Sequence, residues 1–103
     1  MIKGKEIEFS DGGKRIVPPL SLGAVEAFQE KLKGYSGGMG DVGLVIDVSH
    51  AALTRNYPGI TRTEVADLID LSNMNAVMFA VMNVSGLVPA DPGEVPAAAA
   101  ANP

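Results

Sequence analysis

At 103 residues the chain is long enough for one domain and too short for two. Eight Lys and Arg against twelve Asp and Glu leave a net charge of −4, which argues against general affinity for nucleic acid, where cations on phosphates dominate binding. The absence of cysteine excludes disulfides, thiol nucleophiles and thiolate metal sites, and no apolar run approaches the roughly 20 residues that span a bilayer.

An apolar fraction of 47% permits a modest core, which must be built from Val, Ile, Leu, Met and Ala because the aromatics are only two Tyr and three Phe. The opening MIKGKEIEF has no hydrophobic segment behind its lysines, so it does not read as a secretory leader. The expectation is an intracellular, soluble domain.

Ile2–Phe9 alternates, with Ile7 and Phe9 on one face and Glu6 and Glu8 on the other, the period of a half-buried strand. Ser10-Asp11-Gly12-Gly13 is turn chemistry, and Lys14–Val17 returns as a second strand, giving a hairpin over residues 1–17. Pro18-Pro19 ends the ladder because proline has no N–H to donate. A lone hairpin is marginal, so this one must pack on helices.

Ser21 is placed to cap a helix over 22–33 that stops at Gly34. Leu22, Val25, Phe28 and Leu32 form its apolar side, and Glu30 can meet Lys33. Gly34–Gly40, GYSGGMG, lacks both the Walker Lys-Ser/Thr and the GxGxxG setting of a phosphate cradle, and it reads as a hinge loop. Asp41 is placed to cap a helix over about 42–56 whose buried face is Val42, Val45, Ile46, Ser49, Ala52 and Leu53. Asn56-Tyr57-Pro58-Gly59 ends it, since a residue before proline is pushed out of the α region.

Thr61 with Glu64 is a capping box opening a helix over about 62–71, with Ile60 and Val65 as a hydrophobic staple. Ser72 is placed to cap a last helix over about 73–83. Met74, Val77, Met78, Val81 and Met82, with Phe79 extending the arc, cover more of that helix than one neighbour can bury. Two readings stay open. The stripe is surrounded core, or part of it is a surface for a partner or for self-association, a use to which flexible methionine is suited. From Val88 the composition shifts to PADPGEVPAAAAANP, and residues 88–103 are expected to be a disordered tail. The whole is an α+β domain of one hairpin and about four short helices.

Chemistry is scarce. His50 is the only histidine, and Asp47 lies one turn before it; the pair can orient a general base, but no nucleophile completes a set, and the plain reading is an exposed His bonded to Asp47. Glu64, Asp67 and Asp70 recur every three residues and drift around the helix, which favours a solvated acidic face, or a dock for a basic partner, over a metal site. Residues 61–82 have the outline of a helix-turn-helix, yet Asn73–Met82 carries no Lys or Arg for phosphates. No catalytic residue, cofactor or metal site is assigned.

Read together, GKEIEFSDGGKRIVPPLSLGAVEAFQEKL (Gly4–Leu32), HAALTRNYPGITRTEVADLIDLSN (His50–Asn73) and AVMNVSGL (Ala80–Leu87) resemble the small tail assembly chaperones of long-tailed bacteriophages and prophages. The resemblance covers nearly all of residues 1–87 and involves no catalytic motif; it lies in the order of the phrases. It implies a non-enzymatic protein of the bacterial host cytoplasm that keeps the tape measure protein soluble, brings tail tube subunits to it, and is absent from the mature virion. It also implies that a longer, frameshifted form can exist. On this reading the partner surface is the Met/Val stripe Met74, Val77, Met78, Phe79, Val81 and Met82, flanked by Glu64, Asp67 and Asp70. The rival readings are a minor structural tail subunit retained in the virion and, less well supported, a small DNA-binding regulator.

Overall fold

In the computed structural model, which describes residues 1–87, strands β1 (Lys5–Glu8) and β2 (Lys14–Val17) pair antiparallel, Lys5 opposite Val17 and Glu8 opposite Lys14. Gly12, at φ +81°, makes the reversal, a backbone region that costs a Cβ-free residue nothing. The Asp11 carboxylate fixes the tip by accepting from the Gly13 N–H at 2.8 Å and pairing with Arg15 at 3.1 Å. The alternation holds: Phe9 is buried, Ile7 half-buried, and Glu6 and Glu8 are exposed.

Four helices follow, α1 (Leu22–Lys33), α2 (Val42–Thr54), α3 (Arg62–Leu68) and α4 (Met74–Val84), with a single 3₁₀ turn at Met39–Asp41 running into α2. The architecture is α+β. Residues 88–103, expected to form a disordered tail, lie outside the described residues. Among the described residues no helix is long and apolar enough to cross a membrane.

The core sits between the hairpin and α2, α3 and α4. Phe9 and Val17 from the hairpin meet Val48, Ala52 and Leu53 of α2, Val65 of α3, and Val77, Met78 and Val81 of α4. Helix α2 is the hub, touching α1, α3, α4 and β2. Val48, outside the face read from the sequence, is fully buried because α2 has neighbours on several sides.

Several caps and boundaries differ from expectation. Leu22, assigned to the apolar side of α1, is 86% exposed. Helix α1 packs only on α2, so its stripe is half-covered at Val25, Phe28 and Leu32 and runs past its neighbour at the first turn. Asp41 does not cap α2; its Oδ2 turns back to accept from the N–H groups of Ser36 and Gly37, both at 2.9 Å, and so closes the glycine loop. Helix α2 stops at Thr54 rather than Asn56, and α3 at Leu68 rather than Leu71, where Ile69 is already extended.

Ser72 does not cap α4 either. Its N–H and hydroxyl both donate to the Asp70 carboxylate, which also accepts from the Asn73 N–H at 3.1 Å. Asn73 takes the cap position, and its Oδ1 accepts from the Asp70 N–H at 2.8 Å. The expected capping box is present: Thr61 Oγ1 accepts from the Glu64 N–H at 3.0 Å, and Glu64 Oε1 accepts from the Thr61 N–H at 2.9 Å.

Gly4 is held to glycine by proximity. A Cβ there would overlap the Val17 carbonyl and the Pro18 backbone, neither of which can swing aside as a side chain would. Gly4→Ala is therefore expected to destabilise the domain by about 1–3 kcal/mol, read as a lowered urea midpoint at unchanged slope.

Candidate functional site

The Met/Val stripe of α4 is the sequence-derived partner surface, and the fold buries most of it. Met74, Val77, Met78 and Val81 are at most 4% exposed, and Ala80 is buried with them. Hairpin, α2 and α4 close around one another, which answers the breadth of the stripe: several elements cover it, not one. A partner docking on the folded domain cannot reach Val77, Met78 or Val81, and meets Met74 only at its edge. Phe79 and Met82 are half-buried and keep an accessible edge.

An accessible apolar surface with a concave shape lies instead at the α3–α4 junction. Because α3 ends early, Ile69–Asn73 crosses between the helices as a tight turn, and Leu71 projects from it at 62% exposure. Beside it opens a largely apolar notch of about 170 Å³, lined by Val42 and Ile46 of α2, Ala66 of α3, Ile69 and Leu71 of the turn, and the edge of Met74. An aliphatic side chain or two from another molecule fits such a volume. The sequence pattern misses this site because Leu71 reads as the end of a helix rather than as an exposed turn residue.

The chain matches no family model, no curated protein and no solved structure. The functional reading therefore rests on the residues themselves.

The three acids assigned to the flank are exposed but differently engaged. Glu64 is committed to the capping box, and Asp70, on the rim of the notch, to its turn. Asp67 stands on the other side of α3 from the notch, near Arg15, Asp11 and Glu64. So only Asp70 is brought to the apolar site. Among the described residues no three His, Asp or Glu side chains gather as a metal site.

His50 is half-buried rather than exposed, and its Nε2 lies 3.0 Å from the Ile60 carbonyl. A carbonyl only accepts, so that nitrogen carries the hydrogen. Asp47 is taken by Arg62 at 2.6 Å, and the Asp47–His50 pair does not form. The GYSGGMG loop is no open cradle: the Ser36 and Gly37 amides already serve Asp41, and the Tyr35 hydroxyl donates to Asn75 Oδ1 on α4.

Hydrogen bonding holds several carboxyls below their usual range: Asp70 chiefly through the Ser72 hydroxyl, Asp41 through the Ser36 N–H, Glu64 through the Thr61 N–H, and Asp11 through Arg15. A lowered pKa in the folded state means that the unfolded chain binds more protons in acid, so stability rises with pH there. The contribution is complete above the ordinary values of 3.8 for Asp and 4.5 for Glu, and is lost as pH falls through the folded ones. The urea midpoint is expected to be flat from about pH 5.5 to 7 and to drop below about pH 4. Asp70→Asn, which keeps an acceptor but does not titrate, should make that drop shallower.

Proposed function

We propose that this chain is a tail assembly chaperone of a long-tailed phage or prophage, a non-enzymatic protein that keeps the tape measure protein soluble and helps bring tail tube subunits to it. The observation that carries this reading is the ordered run of resembling phrases, Gly4–Leu32, His50–Asn73 and Ala80–Leu87. They take in the hairpin, α1, the end of α2, all of α3 with its turn, and the last turns of α4. What supports a binding role is the notch at the α3–α4 junction with Leu71 on its rim.

The physical mechanism is helix-in-groove contact. A long, helical tape measure protein carries apolar stripes that aggregate when bare, and each stripe presents side chains at i, i+3 and i+4. One such side chain enters the notch, Leu71 covers its neighbour, and Asp70 faces a basic residue beside the stripe. Area rather than one tight contact does the work, so several copies per tape measure are expected.

The test is co-expression with the long coiled-coil protein encoded nearby. Transfer of that protein from pellet to supernatant, with co-purification, is the expected result. A partner that stays insoluble, together with recovery of this chain in purified virions, replaces the reading by a structural tail subunit.

A further inference from the structure

The two edges of the hairpin are treated differently by the fold. On β2, Ile16 donates its N–H to the Tyr57 hydroxyl at 2.9 Å, and its carbonyl accepts from Asn56 Nδ2 at 3.3 Å. Both backbone groups of Ile16 thus point away from β1. In an antiparallel pair, directly opposite residues share that direction. Glu6, opposite Ile16, therefore turns its N–H and C=O away from β2, and so does Glu8 two residues on. Phe9 keeps the alternation, its N–H reaching the Gly13 carbonyl across the hairpin at 2.9 Å. Side chains thus take both outward groups of Ile16 at the centre of the β2 edge, though not those of Lys14, whereas among the described residues nothing pairs with the outward groups of either Glu6 or Glu8 on β1.

An unpaired strand edge is a template for another strand. The occupant is decided by charge. Glu6 and Glu8 are exposed and stand on the same face of β1. If two copies paired antiparallel through these groups, every available register would set Glu6 against Glu8, Glu6 against Glu6, or Glu8 against Glu8. Like charges directly opposite are destabilising. Sliding the pairing toward the turn is blocked, because the Ser10 N–H is bonded to the Leu68 carbonyl. Sliding it the other way sets Glu6 against Gly4 but leaves Glu8 facing Ile2, whose N–H and C=O are both bonded to Asn56, so that ladder is shortened.

The geometry points to β1 as a docking edge for an extended segment of a different protein, one carrying Lys or Arg at alternate positions. The backbone of Glu6 and Glu8 supplies the hydrogen bonds, and their carboxylates select the partner by facing its cations. The same carboxylates keep the edge from pairing with its own kind. This inference stands apart from the tail-assembly reading and uses a different face of the domain from the α3–α4 notch.

The test titrates the isotopically labelled protein with an end-blocked peptide Thr-Lys-Val-Lys-Val-Lys-Thr and with its counterpart having Glu for Lys. The amides of Glu6 and Glu8 are expected to shift and to exchange more slowly with the basic peptide, which should bind about tenfold more tightly than the acidic one. Glu6→Lys with Glu8→Lys should reverse the preference, and Glu6→Gln with Glu8→Gln should erase it while leaving the fold in place. Equal binding of both peptides to the wild type would overturn the inference. So would protection at other amides instead, or protection of Glu6 and Glu8 that rises with protein concentration alone.

Discussion

Met78→Asp is expected to unfold the domain. Met78 has no exposed surface and lies in the same apolar cluster as Leu53, Val65 and Val81. A carboxylate there finds no cation, and replacing a buried methionine with an unpaired charge costs more than about 4 kcal/mol. A domain of this size has only about 5–15 kcal/mol in reserve, and small ones sit at the low end. Circular dichroism at neutral pH should show no cooperative thermal transition, whereas Met78→Leu, which conserves volume, should lose less than about 1.5 kcal/mol. An aspartate variant that folds normally would mean that this face of α4 is open, and would return the Met/Val stripe to consideration as a partner surface.

The second large effect concerns function. Leu71→Asp is expected to leave the domain folded, since Leu71 is mostly exposed and its turn is held by backbone and side-chain bonds between Asp70 and Asn73 that the substitution does not touch. It places a second carboxylate beside Asp70 at the mouth of an apolar notch. On the helix-in-groove reading, solubilisation of the tape measure protein in co-expression should fall by at least about tenfold, because a buried charge at a contact centre costs more than the 1.4 kcal/mol that a factor of ten requires. Retained solubilisation by a folded Leu71→Asp variant would remove the notch from the proposed mechanism. It would leave the co-expression test of the wild type unaffected.

The local rules in this sequence were legible where one residue answers one backbone group. The alternation of Ile7 and Phe9, the Ser21 cap and the Thr61–Glu64 box are decided within a few residues, and each appears as read. Competition between neighbours was not legible. Asp41 and Ser72 both had the chemistry of a cap, but Asp41 found two loop amides behind it, and Asp70 claimed the Ser72 hydroxyl as a donor. Tertiary partners were equally hidden. Nothing near His50 signals the Ile60 carbonyl, and nothing near Asp47 favours Arg62 over His50. The candidate surface shifted for the same reason: the breadth of the α4 stripe shows that several neighbours are needed, but not that this chain supplies them.

The clasp formed by Asn56 and Tyr57 has a consequence for how the chain is made. The hairpin leaves the ribosome before any of the four helices, yet Ile2 and Ile16 are tied to residues 40 or more positions downstream. Its buried face also waits for α4. A two-stranded ribbon without such support is marginal in water, and contacts of this sequence span are slow to close. The hairpin is therefore secured only after the later elements that clasp it have been made. In pulse-labelled refolding, the amide of Ile16 should gain protection together with those of α4, and not ahead of them. Until Tyr57 and α4 have emerged, both edges of the nascent hairpin are bare, and the glutamates of β1 are its standing guard against premature pairing during vectorial folding.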